Sequence, residues 1–376
     1  MRAACANVTG MRIGGGSRRA SAAIATVLLL SSGCATPGAP AATPTPSPSP
    51  SAPARPPLAS DLTGGVPVNL GGATHWAIRD GRAFLATTDG VEAIDLATGA
   101  TAWRAAFEGS GVPWDSTATV GLSSDGATLH ALRTVDTPAG AALELLSVTA
   151  DTGAIVGNRQ VEDPQGQWRV DLPPRILTAD ATSLVLADNP ESGAQVGAVD
   201  LPTATMLWSA DDQAMASNDL VITRSGARDL RTGAPLWQAS FRIGPFLGWA
   251  GEQAVVGDAE AGRVVWLDAA RGTEAAAAPG DPDLCVTGAS VLVCPGEKTR
   301  GYDLVSGEQL WSGGEGNGLA TYRDWVYLWR TETRGDVLDG RTGEVLVADG
   351  ELPRIRYSDA SGVLVETDGL RWVMRD

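Results

Sequence analysis

Beyond Leu62 the chain runs in short apolar alternations punctuated by Gly, Asp and Thr, the pattern of half-buried β-strands joined by tight turns. Ala83-Phe84-Leu85-Ala86-Thr87 leads through Asp89-Gly90 into Val91-Glu92-Ala93-Ile94, two strands around a favoured Asp-Gly turn. The end of the chain repeats the unit: Val363-Leu364-Val365-Glu366-Thr367, Asp368-Gly369, then Leu370-Arg371-Trp372-Val373.

Such hairpins run into a recurring corner. Asp95-Leu96-Ala97-Thr98-Gly99 is followed by Trp103, Asp229 to Gly233 by Trp237, and Asp303 to Gly307 by Trp311. Asp200 opens a degenerate copy with Ala204 in the Gly place and Trp208 following. Asp268 to Gly272 and Asp339 to Gly343 keep the corner but have Ala276 and Val347 where the Trp is expected, and Thr149 to Gly153 has Thr in the Asp place. The corners lie 54, 51, 29, 39, 35 and 36 residues apart. In the full pattern the carboxylate accepts from backbone N–H groups of the turn, the hydroxyl adds a second local partner, and Gly takes a left-handed conformation. The Trp then stands early on the returning strand, where its ring can pack between neighbouring sheets. Four short antiparallel strands per repeat of about 40 residues describe a blade of a β-propeller.

These residues resemble the pyrroloquinoline-quinone-like (PQQ-like) propeller repeat: a short strand, an Asp-Gly turn, Ala-Leu-Asp, two residues, Thr-Gly and a Trp. Ala93-Ile94-Asp95-Leu96-Ala97-Thr98-Gly99 with Trp103 follows it closely, and the resemblance spans about residues 63 to 376. It implies an all-β propeller of four-stranded blades. Seven corners and an eighth third-strand at Leu370 to Met374 give eight blades, the last completed by Val66-Pro67-Val68-Asn69-Leu70 from the other end of the domain. The 29-residue spacing before Asp229 leaves seven as the alternative. Dehydrogenases of this family are longer and carry a Ca²⁺ site, a planar Trp beneath the quinone and a disulfide between adjacent cysteines. No two cysteines are adjacent here. The resemblance therefore implies the scaffold without the cofactor, and neither PQQ nor a metal is expected.

The segment before the repeats has a different pattern. Arg2, Arg12, Arg18 and Arg19 precede an apolar run from Ala20 to Leu30, too short to span a bilayer of ~30 Å. A basic stretch, a short apolar stretch and small residues make a secretory signal, residues 1–33, with Met1 and Met11 as alternative starts. Leu30-Ser31-Ser32-Gly33-Cys34 resembles the bacterial lipobox, which implies lipidation of Cys34. The usual Leu three places before the Cys is here Ser31, with Leu30 one place further out. Residues 34–62 hold runs such as Thr43-Pro44-Thr45-Pro46-Ser47-Pro48, an extended polyproline tether. The expected division is thus 1–33 signal, 34–62 lipidated tether and 63–376 propeller, placed at the outer face of a cell membrane or, alternatively, secreted.

Net charge is −16, and −20 once the four leader arginines are removed, which excludes a nucleic-acid binder and a surface that adheres to anionic lipid by its own charge. Membrane contact is expected through the lipid alone. Cys285 and Cys294 flank an apolar hairpin, and pairing of Val286 with Val293 would set them opposite one another. In an exported protein that pair reads as a disulfide, the alternative being two buried thiols. His75 and His130 are read as packing or surface, so no catalytic residue is assigned. Asp211-Asp212 and Asp281 with Asp283 read as solvated turns, and Arg334-Gly335-Asp336 as a chance tripeptide before an ordinary corner.

Trp114, Trp168 and Trp249 each fall in the stretch between one blade's fourth strand and the next blade's first. They form a candidate binding rim, weighed against a wedge role between strands. The resemblance extends to a propeller lipoprotein that assists assembly of outer-membrane barrels and only scaffolds protein contacts. That particular role is not carried over. The reading is a surface-tethered, non-catalytic module for an envelope protein partner. A small-molecule sensor and a redox or sugar-acting enzyme are the alternatives.

Overall fold

Each corner closes through its own side chains. Asp95 accepts from the backbone N–H and hydroxyl of Thr98 at 2.9 and 3.1 Å, and the Gly99 N–H donates to the Asp95 carbonyl at 2.8 Å. Asp200, Asp229, Asp303 and Asp339 repeat this with Thr203, Thr232, Ser306 and Thr342. In blade 5 Arg271 replaces the hydroxyl residue and pairs with Asp268 at 2.7 Å. Hydrogen bonds from the turn hold the Asp229 and Asp303 carboxyls below the usual carboxylate range. Blade 2, lacking the carboxylate, closes on a bond between the hydroxyls of Thr149 and Thr152 at 2.5 Å.

The computed structural model describes Pro56 and residues 65–374, apart from 71–74, 110–111, 167, 169–173, 188–194, 218–219, 259, 317, 359–361 and 367–368. Except for Pro56, the signal and tether lie outside the described residues. Eight four-stranded antiparallel sheets follow, each in chain order except the last. Blade 1 comprises Trp76–Arg79, Arg82–Ala86, Gly90–Asp95 and Thr101–Ala106. Blades 2 to 7 occupy residues 112–160, 175–210, 214–238, 243–279, 286–312 and 318–351. Blade 8 takes Arg354–Ser358, Gly362–Glu366 and Leu370–Met374, and its fourth strand is Val66–Pro67, with Val66 opposite Trp372 and Pro67 opposite Arg371. The fold is an eight-bladed, all-β propeller, which settles the count against seven. The closing strand is shorter than the sequence run suggests, although the Val68 N–H still donates to the Leu370 carbonyl at 2.9 Å.

First strands of successive blades touch one another around the axis. Thr287 donates its hydroxyl to the Leu247 carbonyl at 2.6 Å, and Thr321 to the Thr287 carbonyl at 2.8 Å. Blade 8 meets blade 1 through the Tyr357 hydroxyl on the Ile78 carbonyl at 3.0 Å, with the rings of Trp76 and Tyr357 edge to face at 5.7 Å. Second and third strands are buried on both faces, as in Ser183–Ala187. Fourth strands such as Val345–Glu351 are largely exposed.

Between blades the contact is a repeated ring-on-turn joint. Trp103 donates its indole N–H to the Ala150 carbonyl at 3.1 Å, Trp208 to Leu230 at 2.9 Å, Trp237 to Ala269 at 2.8 Å and Trp311 to Gly340 at 2.6 Å. The acceptor is always the residue after the first corner position of the next blade. A bulge between the third and fourth strands, as between Ala93 and Ile94, turns each Trp toward that neighbour.

Every large ring faces a small residue across the sheet: Trp103 faces Ala93, Trp208 faces Ala198, Trp237 faces Ala227 and Trp311 faces Gly301. Blade 5, whose fourth strand has only Ala276, reverses the couple. Trp266 on the third strand supplies the ring and donates to the Leu304 carbonyl at 2.7 Å. Blade 8 reverses it again, with Trp372 on the third strand buried beside Leu96 of blade 1. Blade 7 divides the volume between Val337 and Val347.

The corner Gly is fixed twice over. Gly272 has φ +70°, and a Cβ there would lie 2.4 Å from the Trp237 ring, whereas Gly251, at φ +65°, has no atom within 4 Å of that point. Gly251→Ala is expected to lose about 1–2 kcal/mol from backbone conformation alone. Gly272→Ala is expected to lose roughly 1–3 kcal/mol more from the ring collision. Denaturant unfolding of the two variants checks this; equal losses would refute a packing role for the corner Gly.

Candidate functional site

Most buried charge in the propeller is consumed by structure. The Arg133 guanidinium pairs with Glu144 at 2.7 Å, donates to the Thr88 carbonyl and lies 4.3 Å from the Phe107 ring centroid. Glu144 in turn accepts from the Gly109 N–H at 2.8 Å, so the pair clasps blade 1 to blade 2. Asp258 is buried against Arg263 at 3.0 Å. Asp336 is buried between Arg330 and the Asp349 N–H, so the Arg334-Gly335-Asp336 tripeptide does not present its carboxylate.

The residues singled out from sequence scatter. Val286 pairs with Val293, and Cys285 and Cys294 form a disulfide with Cα atoms 4.2 Å apart. His75 begins blade 1, where burial and the Arg175 guanidinium hold it below the ordinary imidazole range. Asp281 caps a short turn through the Asp283 N–H, and Asp212 accepts from Gln213 and Ser225. Among the described residues no group of three or more His, Cys, Asp or Glu is placed to hold a metal ion. Cys34 lies outside the described residues.

The three rim tryptophans do not share the position their spacing suggests. Trp114 and Trp249 lie within the first strands Val112–Leu122 and Ile243–Ala250, and only Trp168 is in a connection. Trp168 is 7% exposed and packs with Leu184, Val199 and Met206. Trp249 is half-buried against Phe246, ring centroids 5.2 Å apart. The side chain of Trp114 is outside the description. The spacing misleads because the first strands of blades 2 and 5 already include these positions.

A different place gathers interaction chemistry. A cleft of about 620 Å³ opens between the first strands of blades 7 and 8, at the end where they begin. Gly318, Leu319 and Ala320 form one wall, Arg354, Ile355 and Arg356 the other, and Trp329, Arg330, Thr331 and Glu332 the turn above. Arg356 is held by Glu366 at 2.7 Å and Arg330 by Asp336, while Arg354 reaches exposed Glu332 at 3.8 Å. Arg330 and Arg356 are thereby oriented, and all three guanidinium groups are about half exposed. The Trp329 ring stacks on Tyr327, and its buried indole N–H has no protein partner. Sequence reading missed this cleft. The Arg354-Ile355-Arg356 alternation was its one available signal.

A second cavity, of about 320 Å³, lies at the junction of blades 2 and 3 and includes His130, Ser147, Gly157, Leu201 and Ala204 in its lining. His130 Nδ1 lies 2.9 Å from the Ser147 hydroxyl, and burial holds the imidazole pKa down to about 4.

No protein-family model matches the chain, and no curated protein matches it in sequence. Among solved structures it is similar to BamB from Moraxella catarrhalis, at 14% identity and a TM-score of 0.52, over 84% of this chain and 97% of that one. It is also similar to the quinohemoprotein alcohol dehydrogenase from Comamonas testosteroni, at 14% identity and a TM-score of 0.45, over 81% and 72% of the two chains. The likeness to BamB is one of fold, and the PQQ-like repeat read from the corners agrees with it.

Replacing both Cys285 and Cys294 by Ser is expected to lower stability by about 2–3 kcal/mol, the chain-entropy value for so short a loop. Denaturant midpoints of the variant and the parent check this, and an unchanged midpoint would mean that the bond does not constrain the unfolded chain.

Proposed function

We propose that this chain is a cell-envelope lipoprotein whose propeller is a non-catalytic module for binding a protein partner, and that the cleft between blades 7 and 8 is where the partner docks. The observation that carries the reading is the composition of that cleft: oriented, half-exposed arginines beside a half-buried Trp with an unsatisfied N–H, set among Leu319 and Ile355. Trp and Arg in a partly desolvated groove dominate the binding energy of protein interfaces. Against the net charge of −16, these guanidinium groups favour an extended partner segment bearing carboxylates, whose geometry Arg reads in bidentate fashion.

The leader supports the envelope location: a basic stretch, a short apolar run and the lipobox-like Leu30 to Cys34, followed by the Pro-rich tether. In this reading lipid on Cys34 anchors the domain and the tether holds it away from the bilayer. PQQ and nucleic acid have no part in it.

Crosslinking on intact cells followed by capture of the tethered protein is expected to yield a protein partner. Arg354→Glu with Arg356→Glu is expected to reduce that capture roughly tenfold or more without lowering the melting temperature. Capture unchanged by the double variant would remove the cleft from the reading, and a co-purifying small molecule with no protein would overturn it. Independently, Cys34→Ser is expected to abolish incorporation of a fatty-acid label and release the protein into the medium.

A further inference from the structure

Seven blades fill the inter-blade joint with a large side chain or a pair of valines; blade 2 does not. Its two residues at the joint, Ser147 and Gly157, face each other and are both small. A Cβ on Gly157 would meet nothing within 4 Å, and the 320 Å³ cavity opens at that point. Such a loss of packing is destabilising wherever a core is otherwise well filled.

The same place holds an imidazole that its counterparts lack. His130 stands on the second strand opposite Ser147, where Phe84, Val185, Ile222, Val255, Val293 and Leu364 stand in blades 1, 3, 4, 5, 6 and 8 and Tyr327 in blade 7. It is 3% exposed, lines the cavity, and its Nε2 has no protein partner. A joint selected only for packing would keep an apolar residue there, because a buried unpaired nitrogen is itself unfavourable.

We propose that the cavity between blades 2 and 3 binds a small planar aromatic group with a ring N–H or hydroxyl, of up to indole size. The ring takes the place that a built-in indole occupies at five other joints. Leu201, the counterpart of the residues whose carbonyls accept at those joints, is in the lining. His130, uncharged at neutral pH, supplies the second polar contact through Nε2. Leu145, Val156 and Pro202 give apolar wall, and Asp125, Asp180 and Arg159, whose guanidinium donates to the Pro202 carbonyl, make the rest of the lining polar. Ala204, at φ +56°, puts a methyl where the other corners have Gly, so the bound ring lies further from the turn than a built-in Trp. The group could belong to a free metabolite or to an aromatic side chain of a partner; the chemistry is shared.

Isothermal titration of the folded protein with indole, and separately with a short peptide containing a single Trp, tests this. A Kd on the order of 1 mM or tighter is expected for indole, the range open to so small a ligand. Indole binding without peptide binding assigns the site to a small molecule, and tighter peptide binding assigns it to a side chain; both support the proposal. Gly157→Trp combined with Ala204→Gly should fill the joint, raise the melting temperature and abolish binding. His130→Phe, a residue already used at this position in blade 1, should weaken indole roughly tenfold while keeping the fold. No binding of either probe by the parent protein, or binding unchanged by His130→Phe and by the filled variant, would overturn the proposal.

Discussion

The propeller depends on one repeated joint: an indole whose N–H reaches a backbone carbonyl of the next blade while its ring lies on the Gly of that blade's corner. A single blade is a four-stranded sheet with two faces to bury, and it has no partner but its neighbours. The joint supplies apolar area and direction together. The hydrogen bond fixes where the ring sits, and the missing Cβ lets the turn approach it. The residues around the corner follow from this demand. The Asp and the hydroxyl residue hold the turn so that its carbonyl points at the ring, and the bulge aims the ring at the carbonyl.

Closure imposes the second constraint. Pairing Val66–Pro67 with Leu370–Met374 makes the two ends of the domain share one sheet. Val66 and Pro67 also stand against Gly99 of blade 1, so the strand that seals the ring lies on that corner while Trp372 on the neighbouring strand supplies the large ring. Blades that are interchangeable for stability need not be alike at the axis. Blades 7 and 8 place arginines where their first strands begin, and blade 2 gives up the large residue at its joint.

Much of this was legible in the chain. Asp95 to Gly99 with Trp103 announces the turn, its cap and its packing residue within nine positions, because all three are local demands on the backbone. The apparent loss of Trp at Ala276 was legible only as a loss. Trp266 stands ten residues earlier and becomes equivalent through cross-strand pairing, not through spacing along the chain. Trp372 opposite Val66 is a stronger case, since its partner is some 300 residues away in sequence. The candidate cleft was barely legible. Arg354 and Arg356 share the first strand of blade 8, but Arg330 follows the second strand of blade 7, and nothing local marks it as their neighbour. The shared position read for Trp114, Trp168 and Trp249 was misplaced for the converse reason: similar places along the chain became different places in the sheets.

By itself the sequence determined the class of fold, the turn chemistry, the repeat and the position of the Cys285–Cys294 pair, because each is written in neighbouring residues or in their period. The tertiary structure decided the blade number, which side of each couple supplies the ring, which charges are spent on holding blades together, and where cavities remain. Those depend on which strands face one another across a closed ring, a relation that no local window of the chain contains.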